Sequence, residues 1–105
     1  MNKLIGTTIK LAMTVALLTA GSQVMAAGDA AAGKAKAMTC AGCHGAAGIS
    51  SNDLWPNLAG QKAGCLTKQI KAFRDGQRSD PMSSMVKALT DQDAENLGAY
   101  YADMK

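Results

Sequence analysis

The sequence predicts an all-α protein with about three main helices joined by loops. Three observations carry this. Stretches opening at Asp29, Lys62 and Thr90 combine helix-forming residues, capping residues or apolar residues spaced by three and four. No stretch alternates polar and apolar residues as a half-buried strand would, and no internal repeat is visible. The third observation is a compact group, Cys40-Ala41-Gly42-Cys43-His44, that the helices must be arranged around.

Residues 1–26 stand apart from the domain. Lys3 and Lys10 give a positive start, Leu11 to Leu18 is apolar except for Thr14, and Val24-Met25-Ala26 is a small-x-small cleavage site. The apolar stretch falls short of the ~20 residues that a spanning helix needs. Residues 1–26 are therefore expected to be a cleaved secretory signal, followed by a domain over residues 27–105. Export places the product, in a bacterium, in the periplasm, with no stable membrane insertion after cleavage.

Asp29 can cap the first helix, with Ala30, Ala31 and Ala32 as strong formers behind it, and the helix is expected to reach about Cys40. Gly33 costs a helix interior ~1 kcal/mol relative to alanine, which suggests a close crossing by another helix. Two cysteines separated by two residues and followed by histidine then form the attachment pattern of a c-type haem. Each thiol can add across one vinyl group of the porphyrin. A tight turn brings both sulfurs to one ring edge and leaves the histidine beneath the iron.

Small and polar residues from Gly45 to Asn52 read as loop. Leu54-Trp55-Pro56-Asn57-Leu58 follows, where the proline keeps Trp55 extended and the apolar residues suggest a loop folded over something hydrophobic. Lys62 to Arg74 is the second helix, with Leu66, Ile70 and Phe73 on one face and Gly76 as its stop. Thr90 and Asp93 resemble a capping box for the last helix, which should run from Asp91 to about Asp103 and bury Ala94, Leu97, Tyr100 and Tyr101.

Composition narrows the chemistry. Cleavage leaves 79 of the 105 residues, with four aromatics, so a large apolar group at the centre would compensate for a small side-chain core. Losing Lys3 and Lys10 lowers the basic residues from 11 to nine, against eight acidic ones, a net charge of +1 with no basic patch for nucleic acid. The sequence has one histidine, so bis-histidine ligation is excluded and methionine is the next common iron ligand. Met1, Met13 and Met25 leave with the signal, Met38 is too near Cys40 to reach the opposite face, and Met104 is at the end. Met82 and Met85 remain.

Together, Gly28-Asp29 with Gly33, Cys40 to His44, Trp55 to Gln61, Phe73-Arg74-Asp75-Gly76-Gln77-Arg78, and Leu89 to Asp93 with Leu97 and Tyr100-Tyr101 carry a resemblance. Along nearly its whole mature length the chain resembles class I c-type cytochromes of the small bacterial single-haem type, and one half of the two-haem periplasmic cytochromes. The resemblance implies a compact class I cytochrome c fold wrapped around one covalent haem c. It implies Cys40 and Cys43 as thioether anchors, His44 as the proximal iron ligand, the Pro56 carbonyl as acceptor for its imidazole, and Met82 as the sulfur ligand, with Met85 as runner-up. It also implies that Gly33 lets the first helix cross the last against Leu97 and Tyr100.

The implied function is one-electron Fe(II)/Fe(III) transfer without enzymatic turnover. The implied partners are a quinol-oxidising complex and a terminal oxidase, peroxidase or reductase. The chain departs from the family at Cys65, where relatives often carry an aromatic residue. Cys65 is expected to be a small buried hydrophobe apart from the haem site, in a monomer; an exposed thiol would instead permit a disulfide-linked dimer. A haem protein with an open sixth site, acting as peroxidase or gas sensor, is the alternative. It lacks a distal histidine and leaves little room for a substrate pocket. A zinc or disulfide module matches the count of three cysteines and one histidine, but adjacent Cys43 and His44 are poorly placed for joint ligation.

Overall fold

The computed structural model describes residues 28–78 and 81–104, so the expected signal segment lies outside the described residues. Among the described residues five helices follow in order: α1 Ala30–Lys36, α2 Met38–His44, α3 Ala63–Arg74, α4 Met82–Val86 and α5 Asp91–Ala102. No strand occurs among the described residues. The all-α expectation holds, with two differences in detail.

The first expected helix is two helices. Asp29 caps α1 as anticipated, its carboxylate accepting from the Ala31 and Ala32 amides at 2.9 and 3.3 Å. The chain bends at Ala37, whose amide is shared between the Gly33 and Lys34 carbonyls. Ala37 is 5 % exposed and belongs to the core with Leu97 and Tyr101. Packing on α5 therefore sets the break; no proline or capping side chain marks it. The second difference is α4, one short helix between α3 and α5 that is too brief to show a period in sequence.

α5 is the axis of the domain. Its capping box forms on both sides: the Asp93 amide donates to the Thr90 hydroxyl, and the Thr90 amide donates to the Asp93 carboxylate, each at 3.0 Å. Ala94, Leu97 and Tyr101 are buried on the expected face, and Tyr100 is half-buried. α1 and α3 both pack on α5. On the α1 side, a Cβ at Gly33 would overlap the Asn96 carbonyl and lie 2.8 Å from the Tyr100 Cβ. The crossing was expected against Leu97 and Tyr100; it falls one residue earlier, on Asn96 and Tyr100. On the α3 side, a Cβ at Gly98 would lie 2.5 Å from the Thr67 hydroxyl and 2.7 Å from the Ala63 carbonyl. α5 thus meets both neighbours at close range, through Gly33 of α1 on one side and its own Gly98 on the other.

Asn96 has a role that the sequence did not announce. It is 8 % exposed, and its side-chain oxygen accepts from the Asp29 amide at 2.8 Å and from Gln92 at 2.9 Å. It ties the start of α1 to the middle of α5. A polar residue beside Leu97 on the buried face was the available signal.

Candidate haem site

The Cys40–His44 motif lies in α2, so the tight turn expected there is a turn of α-helix. Residues three and four apart share a helix face. Cys40 therefore shares its side of the helix with both Cys43 and His44. All three line a cavity of about 630 Å³, within the range of small-molecule and cofactor sites. The loop Leu54–Leu58, the inner faces of α3 and α4, and Leu97 and Tyr101 of α5 complete its walls.

His44 is 5 % exposed. Its Nδ1 lies 2.8 Å from the Pro56 carbonyl oxygen. A carbonyl can only accept, so Nδ1 carries the proton and Nε2 presents its lone pair. This is the arrangement that raises the basicity of a ligating imidazole and fixes its ring. The loop supplying Pro56 is itself built from short bonds. The Leu58 and Ala59 amides donate to the Gly48 carbonyl, and the Ser50 amide donates to Asn57 at 2.7 Å.

Burial pushes the Cys40 thiol up from its ordinary value; a hydrogen bond with Tyr101 works against this, and nearby Cys43 adds to it. Tyr101, 2 % exposed, is also held up, first by burial and then by Cys40. It remains a neutral phenol in the cavity wall at any physiological pH.

Met82 and Met85 both line the cavity from α4. Met82 is half-buried, while Met85 is 50 % exposed. Trp55 lines it from the loop, 43 % exposed, in keeping with a loop folded over an apolar body.

Cys65 departs from expectation. It is exposed, and it borders the same cavity from the first turn of α3. Its place near the start of α3 turns it to the rim, away from the α3–α5 contact, so it is neither buried nor apart from the site. Among the described residues, no three Cys, His, Asp or Glu side chains are grouped to hold a metal ion by themselves.

The donor set and the cavity fit a covalent haem. Two thiols on one helical turn, a histidine with a fixed tautomer, a thioether, and walls of leucine, isoleucine, phenylalanine and tryptophan suit a flat apolar macrocycle. Among the described residues the charged side chains on the lining are Lys36 and Arg78, which suits a group that carries two propionates.

Comparison with known proteins agrees. The family described as "Cytochrome C oxidase, cbb3-type, subunit III" matches residues 25–100. Cytochrome c-554(548) of Halomonas halodenitrificans is 45 % identical over 83 residues, which are 75 % of this chain and all of that protein. Cytochrome c4 of Pseudomonas aeruginosa is 42 % identical over 106 residues, spanning this chain but half of that protein. The crystal structure of reduced cytochrome c4 from Pseudomonas stutzeri superposes with a TM-score of 0.63 at 28 % identity, covering 76 % of this chain and 52 % of that one. The chain thus spans about half the length of the cytochromes c4 it matches, in keeping with the likeness to one half of a two-haem protein. No helix among the described residues is long and apolar enough to cross a membrane. On fold, motif and relatives together, the chain belongs to the class I c-type cytochromes, with one covalent haem c and an electron-carrying role.

Proposed function

We propose that the chain is a periplasmic one-electron carrier in which Cys40 and Cys43 would anchor the haem and His44 and Met82 would bind its iron. When bound, the group supplies the Fe(II)/Fe(III) couple. The protein's residues do the rest. His44 is held by the Pro56 carbonyl at 2.8 Å, so its donor nitrogen keeps one orientation. Met82 enters from α4, and a thioether there favours the reduced state. The apolar lining excludes water and limits rearrangement between the two oxidation states.

The observation that carries this reading is one cavity that gathers Cys40, Cys43, His44 and Met82, with His44 already oriented by Pro56. With both iron ligands supplied by His44 and Met82, no position on the group would be left for substrate, and the chain would carry electrons without enzymatic turnover. Its partners would be redox proteins: a quinol-oxidising complex as donor and a terminal oxidase, peroxidase or reductase as acceptor. One relative, from Stutzerimonas stutzeri, bears the name thiosulfate dehydrogenase electron acceptor, and at 35 % identity over 69 residues it supports an acceptor role of the same kind here.

Visible spectra test the ligand set. The oxidised protein should show a sulfur-to-iron charge-transfer band that is lost in Met82→Ala and kept in Met85→Ala. Rapid carbon monoxide binding by the reduced wild type would refute it and favour the open-site alternative. Mass and fractionation test export, with a mature start at Ala27 and recovery in the periplasm as the expected outcome.

A further inference from the structure

Arg74, the last residue of α3, holds together three parts of the chain. Its Nε and Nη2 donate to the two oxygens of Asp75 at 2.8 and 3.3 Å. Its Nη1 lies 2.7 Å from the Asp91 carboxylate at the start of α5 and 3.3 Å from the Leu89 carbonyl. The side chain is 19 % exposed, half-sunk between these elements. The guanidinium therefore joins the end of α3, the start of α5, and the residue at which the methionine segment rejoins the core.

At the C-terminal end of that segment the Leu89 amide donates to the Val86 carbonyl at 3.0 Å, a bond inside the segment that does not tie it to α3 or α5. α4 has five residues, below the length at which a helix supports itself, and its N-cap residue, Pro81, offers no capping side chain. The hydroxyls of Ser83 and Ser84 bond to the Arg78 and Pro81 carbonyls, which lie before α4. Val86 is buried and Leu89 packs on the core cluster, but apolar contacts set depth better than direction. Yet Pro81, Met82, Met85 and Val86 form one wall of the cavity.

We propose that Arg74 is a positioning residue: by clamping Leu89 to Asp91 and α3, it holds the α4 wall, and with it Met82, at a fixed distance across the cavity from His44. The role of Met82 as iron ligand rests on the function proposed above; the clamp itself does not. A planar guanidinium is required, because it bonds a carboxylate and a carbonyl from one fork while bracing against a second carboxylate. A lysine at this place is a single point charge.

Amide hydrogen exchange of the haem-loaded protein tests this, comparing wild type with Arg74→Gln and Arg74→Lys. Loss of a charge-assisted bond at Leu89 should speed exchange over residues 81–89 by about tenfold or more in Arg74→Gln, and by less in Arg74→Lys. Exchange in α1 and in the second half of α5 should stay unchanged. The charge-transfer band should also be lost at a lower denaturant concentration than far-UV helicity in Arg74→Gln. Equal acceleration across the whole domain would reduce Arg74 to general stabilisation and overturn the proposal, as would unchanged exchange over residues 81–89. If wild type shows no such band, the Met82 assignment fails, and the exchange comparison still decides the clamp. Should Arg74→Gln fail to accumulate, Asp91→Asn loosens the same guanidinium from the far side and carries the same expectation at smaller size.

Discussion

Gly33→Ala separates two opposed effects of one methyl group. Helix propensity alone favours alanine inside α1 by ~1 kcal/mol. The structure opposes it. The added Cβ would overlap the Asn96 carbonyl oxygen and lie 2.6 Å from its carbon and 2.8 Å from the Tyr100 Cβ. Two of these atoms are backbone and the third is fixed to it, so none can rotate away. α1 must withdraw from α5, at an overpacking cost of up to ~3 kcal/mol. The net loss is about 2 kcal/mol, or roughly 8–15 °C in melting temperature for a domain of this size. Gly64→Ala is the matched comparison. It also lies in a helix, α3, but nothing stands within 4 Å of its Cβ, so the gain of about 0.4–1 kcal/mol should appear undiminished. Thermal unfolding of the haem-loaded protein by far-UV circular dichroism reads both. A Gly33→Ala melting point at or above wild type, or a Gly64→Ala protein that falls as far, would refute the close-crossing account.

Three further outcomes are expected. Thr90→Ala should cost about 1 kcal/mol in denaturant unfolding, since it removes the hydroxyl that accepts from Asp93. The Asp93 carboxyl is held below its ordinary 3.8, first by the Thr90 amide and then by the Thr90 hydroxyl and Lys36, against the pull of burial. A depressed folded value means stability that is complete above the unfolded value and lost as pH falls through the folded one. Asp93→Ala should therefore shrink the difference in stability between about pH 6 and about pH 3, measured by the same unfolding curves. Cys65→Ser should abolish any dimer seen on a non-reducing gel while leaving the visible spectrum unchanged, because the thiol is exposed at the cavity rim.

What the sequence made legible is local. Asp29, Thr90 and Asp93 act through neighbours two or three residues away, so their capping roles follow from spacing alone. Gly33 was legible as an anomaly, a costly residue in a helix, although its contact lay one residue from the place expected. The bend at Ala37, the tie from Asn96 to Asp29, and the tight contact at Gly98 are set by α5 packing against residues far along the chain. Local sequence marks Asn96 and Gly98 only as odd residues within a helix and does not name their partners. At the site, the motif spacing named Cys40, Cys43 and His44, and the resemblance added Pro56 and Met82. The exposure of Cys65 was missed because it depends on which face of α3 meets α5, and a thiol suits a wall or a rim equally.

The acceptor for His44 is a main-chain oxygen, not a side chain. Replacing Pro56 with another residue would leave that oxygen in place, so substitution at position 56 alone would understate its part. The bond is lost only by re-routing the loop, and the loop's path is written elsewhere: in Gly48, whose φ of 72° and missing Cβ let its carbonyl receive the Leu58 and Ala59 amides, and in the Asn57 side chain holding Ser50. The orientation of the imidazole is therefore heritable information stored at positions that never touch it. A mutational map of this protein should find the tolerance at residue 56 and the sensitivity around residues 48 and 57.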